Sequence, residues 1–269
     1  MASRVKASDQ TLEHWVDDLQ ATGRYTFTHA DVGKAHRRSE IAIEAALRRL
    51  KRKGRIVSPR RGFFVLVPVE YRAAGCPPAT WFVADLMRFL GQPYYVGILS
   101  AASLHGAAHQ QPMTFQVVTD RPTRPARAGR VRIEFHMSRV LARTPIVELP
   151  TDTGSIRVAS PEATAFDLVR YPAAAGYLDN AATVLGELAE RVAPEALERC
   201  AREQALPDVQ RLGYLLQQLG RQDRAKALEK RLVGERLRPV LLAPERSRGR
   251  ARPDPLWRVV PNEKIEIDQ

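Results

Sequence analysis

Residues 37–68 read "RRSEIAIEAALRRLKRKGRIVSPRRGFFVLVP", with ten Lys or Arg against two acids before an uncharged apolar run begins. How this stretch folds decides how the N-terminal part of the chain is read. Ser39 suits an N-cap, and Ile43, Leu47 and Leu50 follow at spacings of four and three. That spacing puts all three on one face of a helix reaching Lys53. Arg38, Arg48, Arg49 and Arg52 fall on the opposite face. Glu40 and Glu44 lie in the first turns, where the helix dipole favours anions, and Glu44 is placed to pair with Arg48 one turn on. Gly54 suits the position just past the cap. Residues 55–68 then predict a β-hairpin, with "SPRRG" as its turn, Arg60 and Arg61 at the tip and "FFVLV" as a β-branched and aromatic strand.

Upstream, "SDQTLEHWVDDLQATG" (8–23) predicts a helix with Ser8 as N-cap and Leu12, Trp15, Val16 and Leu19 on one face. "YTF" (25–27) predicts a short strand. "THADVGKAH" (28–36) offers Thr28 and Asp31 as an acidic capping box for a helix that breaks near His36. Helix, strand, helix, basic helix and hairpin in this order resemble a winged helix-turn-helix. The basic helix would enter the major groove, with the side chains near its N-terminus meeting base edges. On that reading Arg37, Arg38, Ser39 and Ala42 are the base-reading residues. Arg48, Arg49, Arg60 and Arg61 hold phosphates, which position without specifying, and Arg52 completes the DNA-binding set. The bland alternative is a solvated surface helix. It explains less, because helix face, turn and hairpin tip agree on one docking surface.

The chain has 269 residues and a net charge of +12, enough length for two cores and enough charge to suggest a polyanionic partner. Two blocks carry that charge: residues 34–61 are net +9 and residues 211–258 net +8, leaving the remainder at −5. The two cysteines, Cys76 and Cys200, are too far apart in sequence to suggest a disulfide framework or a metal-ligand pair. The N-terminus shows no apolar signal region and no apolar run approaches membrane-spanning length, so a cytoplasmic protein with no membrane association is expected.

"YRAAGCPPATW" (71–81) breaks the pattern with glycine and proline, which sets the expected domains at 1–70 and 71–269. Beyond it, "TWFVADLMRFLG" predicts an amphipathic helix, "PYYVGILS" a strand start, and "SAASLHG" a short helix capped by Ser100. "TFQVVTD", "RVRIEFHMS", "TPIVELP" and "SIRVAS" are four candidate strands. "SPEATAFDLVRYP" has Ser160 as N-cap and Pro161 at the first helical position. Four further short helices follow, two of them opened by proline, and the chain ends in a strand, an arginine-rich loop and a final strand. Strands first and helices last make this an α+β fold: a winged helix-turn-helix followed by a mixed α+β domain ending in several short helices.

With these elements in place, the chain resembles the AbiEi antitoxins of type IV toxin–antitoxin systems. The resemblance rests on the winged helix followed by "YYVGILSAASLHGAA", "FQVVTD", "IRVASPEATAFDLVRYP", "RLGYLLQQLG" and "LWRVVPN", and spans about residues 10–262. No single motif is decisive; their order is. The resemblance implies an N-terminal winged helix and a C-terminal α+β antitoxin domain. It also implies two activities: repression of the operon's own promoter, and neutralisation of a nucleotidyltransferase-like toxin encoded beside it, with direct toxin contact left open. Double-stranded promoter DNA, as an inverted repeat bound by two protomers, is the expected operator.

Other chemistry has to be weighed. His105 and His109 share the i,i+4 spacing of a zinc pair, but Gly106 stands where a metalloprotease needs Glu, and capping or packing is the simpler role. Asp120, Glu134 and His136 resemble the spaced acids of a metal-dependent nuclease, without the usual lysine. Neither GxxxxGK[ST] nor GxGxxG occurs. Arg246, Arg248, Arg250 and Arg252 alternate in a loop that could touch DNA, RNA or an acidic toxin as readily as solvent. The leading expectation is a non-enzymatic DNA-binding antitoxin without a cofactor. A DNA-targeted nuclease and a toxin-sequestering interaction protein are the alternatives.

Overall fold

The computed structural model describes residues 11–36, 38–107 and 113–265. Helix α1 (Leu12–Ala21) is capped by Thr11, whose hydroxyl accepts the His14 N–H at 3.4 Å; the expected cap, Ser8, lies outside the described residues. Strand β1 (Thr26–Thr28) leads into α2 (His29–Ala35). The capping box is reciprocal: the Asp31 N–H donates to the Thr28 hydroxyl at 3.1 Å and the Thr28 N–H to the Asp31 carboxylate at 2.8 Å. Helix α3 (Glu40–Arg52) starts from Ser39, whose hydroxyl accepts the Ala42 N–H at 3.3 Å. Strands β2 (Ile56–Arg60) and β3 (Phe63–Leu66) form the hairpin. They pair Arg60 with Phe63 across an Arg61–Gly62 turn in which Gly62 takes φ +82°, a left-handed conformation that favours glycine. β1 pairs antiparallel with β3, giving the three-stranded order β1-β3-β2 of a winged helix-turn-helix-like fold.

The amphipathic faces close one core. Leu12 and Val16 of α1, Val32 of α2, and Ile43, Leu47 and Leu50 of α3 pack with Phe27, Ile56, Phe64 and Leu66. Alternation along β3 explains the apolar run at the end of the opening stretch. Phe64 and Leu66 enter this core, while Phe63 is buried against Phe89 of α4 (Val83–Leu90), with ring centroids 5.4 Å apart. A strand covered on both faces cannot alternate with polar residues.

The chain continues through β4 (Tyr94–Val96), α5 (Ile98–Leu104), β5 (Phe115–Thr119), β6 (Ala126–Ala128), β7 (Val131–Met137), β8 (Ile146–Thr151) and β9 (Gly154–Ala159). These strands form a mixed six-stranded sheet of order β6-β7-β5-β4-β9-β8, with β4 antiparallel to β5 and parallel to β9. The four strands expected from sequence are β5, β7, β8 and β9. β6, "ARA", has no β-branched residue to announce it and exists through its pairing with β7. One cap differs from expectation. α5 begins at Ile98, two residues before Ser100, because Gln116 of β5 reaches back and accepts the N–H groups of Leu99 and Ser100 at 2.9 and 3.3 Å. A side chain 16 or more residues away thus does the work expected of Ser100.

Helices α6 (Pro161–Arg170), α7 (Tyr177–Leu188), α8 (Pro194–Ala201), α9 (Leu206–Gln218) and α10 (Gln222–Leu232) follow, then the parallel pair β10 (Val240–Leu241) and β11 (Val259–Val260). Ser160 caps α6 and Pro161 opens it, as the sequence predicts. By its contacts the chain divides into two units. One comprises Met1–Pro93, Pro122–Phe135 and Leu149–Ile156; the other comprises Tyr94–Arg121, His136–Glu148 and Arg157–Gln269. Within the first, Trp81 donates its indole N–H to Asp152 at 2.8 Å, and Cys76, in the Gly- and Pro-rich stretch after the hairpin, is buried.

Candidate nucleic-acid interface

Burial of Ile43, Leu47 and Leu50 fixes the rotation of α3, so its remaining face is turned to solvent. Arg38, Ser39, Ala42, Arg48, Arg49 and Arg52 are all exposed, as is Arg61 at the hairpin turn. Arg37 lies outside the described residues. Among the described residues, none of Arg38, Arg48, Arg49, Arg52 and Arg61 closes an ion pair within 4 Å. Three other cations of the block are occupied. Lys53 holds Glu13 of α1 at 2.7 Å and lowers the pKa of that carboxyl, Arg55 pairs with Asp17 of α1, and Lys51 lies over the Phe64 ring, 5.0 Å from its centroid. Positive charge in this block therefore has two uses: some cations fasten α3 to its neighbours, and the rest project unpaired.

Three details differ from the sequence reading or extend it. Glu44 does not pair with Arg48. The Arg48 Nε–H donates to the Glu44 backbone carbonyl at 3.3 Å, and the Glu44 carboxylate turns to His29, also at 3.3 Å. Arg60 is half-buried; its guanidinium donates to the carbonyl oxygens of Arg124 and Pro125 and lies 5.6 Å from the Phe135 ring centroid, while Arg61 beside it is exposed. Ile41, not among the residues expected at the interface, is 80% exposed between Ser39 and Ala42. A break in the 4-3 spacing of the buried residues was the available signal.

His36, at the end of α2, is buried edge-on to Trp15, with ring centroids 5.6 Å apart. Burial, helped by the charge of Arg38, lowers its pKa from the usual 6.5.

In the second unit several polar residues serve the interior. Asp167 is wholly buried, accepts the Tyr95 hydroxyl at 3.3 Å and lies 3.8 Å from Arg170. Burial raises its pKa from 3.8 to about 7, against the opposing pull of Arg170. Arg170 also pairs with Asp208 at 3.0 Å, and Asp208 lies 3.5 Å from Arg211, whose Nε–H donates to the Leu241 carbonyl. Gly213 is there because a Cβ would come within 2.0 Å of the Trp257 ring.

The other candidates resolve individually. The His105 ring bonds the Ala159 carbonyl at 2.7 Å just past the end of α5, a packing and capping role; His109 lies outside the described residues. Asp120 is held by the guanidinium of its neighbour Arg121, which lowers its pKa, and Glu134 lies 3.5 Å from Arg132. Among the described residues, the group of His, Cys, Asp or Glu drawn close enough to share a cation is His29, Glu40 and Glu44, and it includes none of Asp120, Glu134 and His136. Among the described residues, no helix is long and apolar enough to cross a membrane.

These features define the class: a winged helix-turn-helix-like module with an open cationic helix face, followed by a mixed α+β domain. Residues 95–218 match the family model of the AbiEi antitoxin C-terminal domain. The crystal structure of the RV2827C protein from Mycobacterium tuberculosis is similar with a TM-score of 0.66 at 20% identity, covering 97% of this chain and 95% of that one. At that identity the likeness speaks for the fold. The comparison with curated proteins found no match.

Proposed function

We propose that the protein is a non-enzymatic, DNA-binding antitoxin that represses its own type IV toxin–antitoxin operon and neutralises a nucleotidyltransferase-like toxin. The observation that carries this reading is the unpaired arginine face of α3, joined in one chain to an AbiEi antitoxin C-terminal domain. Arg38, Ser39, Ile41 and Ala42 present hydrogen-bonding and methyl groups at the N-terminal end of α3, the end that meets base edges in this class of module. Arg48, Arg49, Arg52 and the wing residue Arg61 supply phosphate contacts on either side. One module of this size gives limited specific contact, so two protomers on an inverted repeat are expected. The site of action is the cytoplasm, where promoter and toxin are both found.

The test is a gel-shift salt series on the DNA upstream of the gene, with footprinting and light scattering of the complex. Binding should weaken steeply with salt and protect two symmetric half-sites. Salt-insensitive binding, or no preference over random DNA, would overturn the repressor reading. Toxin neutralisation is tested separately, by co-expressing the neighbouring toxin gene with the protein and scoring growth.

A further inference from the structure

His29, Glu40 and Glu44 bring three donor atoms to one point beside the proposed DNA-binding face. His29 opens α2, and Glu40 and Glu44 stand one turn apart on α3. The imidazole Nε2 lies 3.3 Å from an oxygen of each carboxylate, and the three donor atoms lie within 4.8 Å of one another. Two metal–ligand bonds of about 2.0–2.2 Å at the tetrahedral angle hold their donors about 3.3–3.6 Å apart. Both imidazole–carboxylate spacings are therefore already those of a small divalent cation's coordination shell, and the two carboxylates lie near enough to close on it. The Nε2 atom is also shielded from solvent and has no hydrogen-bond partner, so nothing else in the protein occupies it.

We propose that His29, Glu40 and Glu44 form a binding site for a first-row divalent cation such as Zn²⁺, with DNA affinity coupled to its occupancy. The donor set, one imidazole nitrogen and two carboxylate oxygens, suits these borderline cations better than Mg²⁺ or Ca²⁺, which want oxygen alone. Glu40 is 74% exposed and Glu44 49% exposed, so the remaining coordination position is open to water. The coupling rests on the function proposed above. With a neutral imidazole, the two carboxylates place two negative charges among arginines that would meet phosphates. A dication cancels them. It also ties α2 to α3, and the His29 N–H already holds the carbonyl of Gly62 in the wing turn at 2.8 Å. By linkage, whatever factor the metal adds to DNA affinity, DNA adds to metal affinity.

The full-length protein, stripped with chelator, is titrated with ZnCl₂ by calorimetry and with CoCl₂ by visible absorption, without DNA. One saturable site with a tetrahedral cobalt band is expected, with affinity at least tenfold weaker in His29→Ala and in the double variant Glu40→Gln/Glu44→Gln. Circular dichroism checks that each variant is folded, and either variant alone suffices. The absence of a saturable site, or binding unchanged in both variants, overturns the metal site and leaves an imidazolium–carboxylate contact only. Gel shifts with and without Zn²⁺ form the second arm. Wild type should gain several-fold in affinity with metal. The Gln/Gln variant should bind DNA more tightly than metal-free wild type and ignore the metal. If metal binds as expected but neither preparation binds DNA, the site stands and the repressor reading falls. If both bind and the metal changes nothing, the coupling is wrong.

Discussion

The chain's two basic blocks are nearly equal in net charge, +9 over residues 34–61 and +8 over residues 211–258, yet their arginines are differently engaged. In the first, Arg48, Arg49 and Arg52 project from α3 beyond ion-pair range of any described acid. In the second, Arg211 meets Asp208, Arg221 meets Glu190 and the Gly186 carbonyl, Lys230 meets Glu198, Arg231 meets Glu235, and Arg246 meets Glu263, while Arg248, Arg250 and Arg252 of the arginine-rich loop close no ion pair among the described residues. Charge counted along a sequence does not distinguish a surface offered to a partner from one that binds its own fold. The distinction lies in whether acids and carbonyl oxygens are within reach once the chain has folded.

Charge reversal sharpens the contrast most. Replacing Arg48, Arg49, Arg52 and Arg61 with Glu should lower promoter affinity by at least a hundredfold and flatten the log–log salt dependence by about one for each lost contact. Reversing Arg221, Lys230 and Arg231 should leave the slope unchanged and lower the melting temperature instead. Equal effects of the two quadruple and triple variants on the slope would erase the distinction.

Packing gives the next largest effect. Gly213→Ala adds one methyl group where the Trp257 ring already sits, in a helix that has no conformational need for glycine. Overpacking of this kind costs about 1–3 kcal/mol. Denaturant unfolding should show that loss in the C-terminal unit, and a stability equal to wild type would mean that the ring and helix separate at no cost.

The sequence was informative where local rules act alone. The capping pair Thr28–Asp31, the cap Ser39 and the buried triplet Ile43, Leu47, Leu50 follow from spacing, and so does the exposed arginine face. It was uninformative where a distant residue decides. Gln116 displaces Ser100 as the cap of α5, β6 depends on its partner strand, and the contacts of Arg60 involve residues more than 60 positions away. His29 gave no sign of its carboxylate neighbours, because its approach to α3 depends on how two helices cross.

The two units should also answer pH in opposite directions. Asp167 has a folded pKa of about 7 against an ordinary 3.8, so the folded state holds a proton that the unfolded state has released. Its stabilising contribution is complete below about pH 3.8 and is lost as pH rises towards about 7. His36 has a folded pKa below the ordinary 6.5, so its contribution is complete above that value and is lost as pH falls through the folded pKa. Hydrogen exchange between pH 4.5 and 7.5 should show protection rising with pH around Trp15 and falling around Tyr95. Asp167→Asn should remove the second trend and leave the first. Parallel trends in both units would break the assignment.

The smallest effect on DNA binding comes from two adjacent residues of the wing, where both uses of arginine meet. Arg61 is exposed at the turn, whereas the Arg60 guanidinium donates to the Pro125 carbonyl at 2.9 Å and to that of Arg124. Burial lowers the pKa of Arg60, with the charge of Arg124 contributing, but a guanidinium stays charged at any physiological pH. Two of its nitrogens are engaged by backbone carbonyls. Arg61→Ala should therefore reduce promoter affinity a few-fold and the salt slope by about one, with no change in stability. Arg60→Ala should leave the slope alone and cost about 1.5–3 kcal/mol, as expected for hydrogen bonds made by a charged group. Salt-series gel shifts and denaturant melts on the two single variants separate these outcomes. A slope change in Arg60→Ala equal to that in Arg61→Ala would mean that Arg60 leaves its carbonyl partners for a phosphate when DNA arrives, and the division between free and occupied arginines would then describe only the unbound protein.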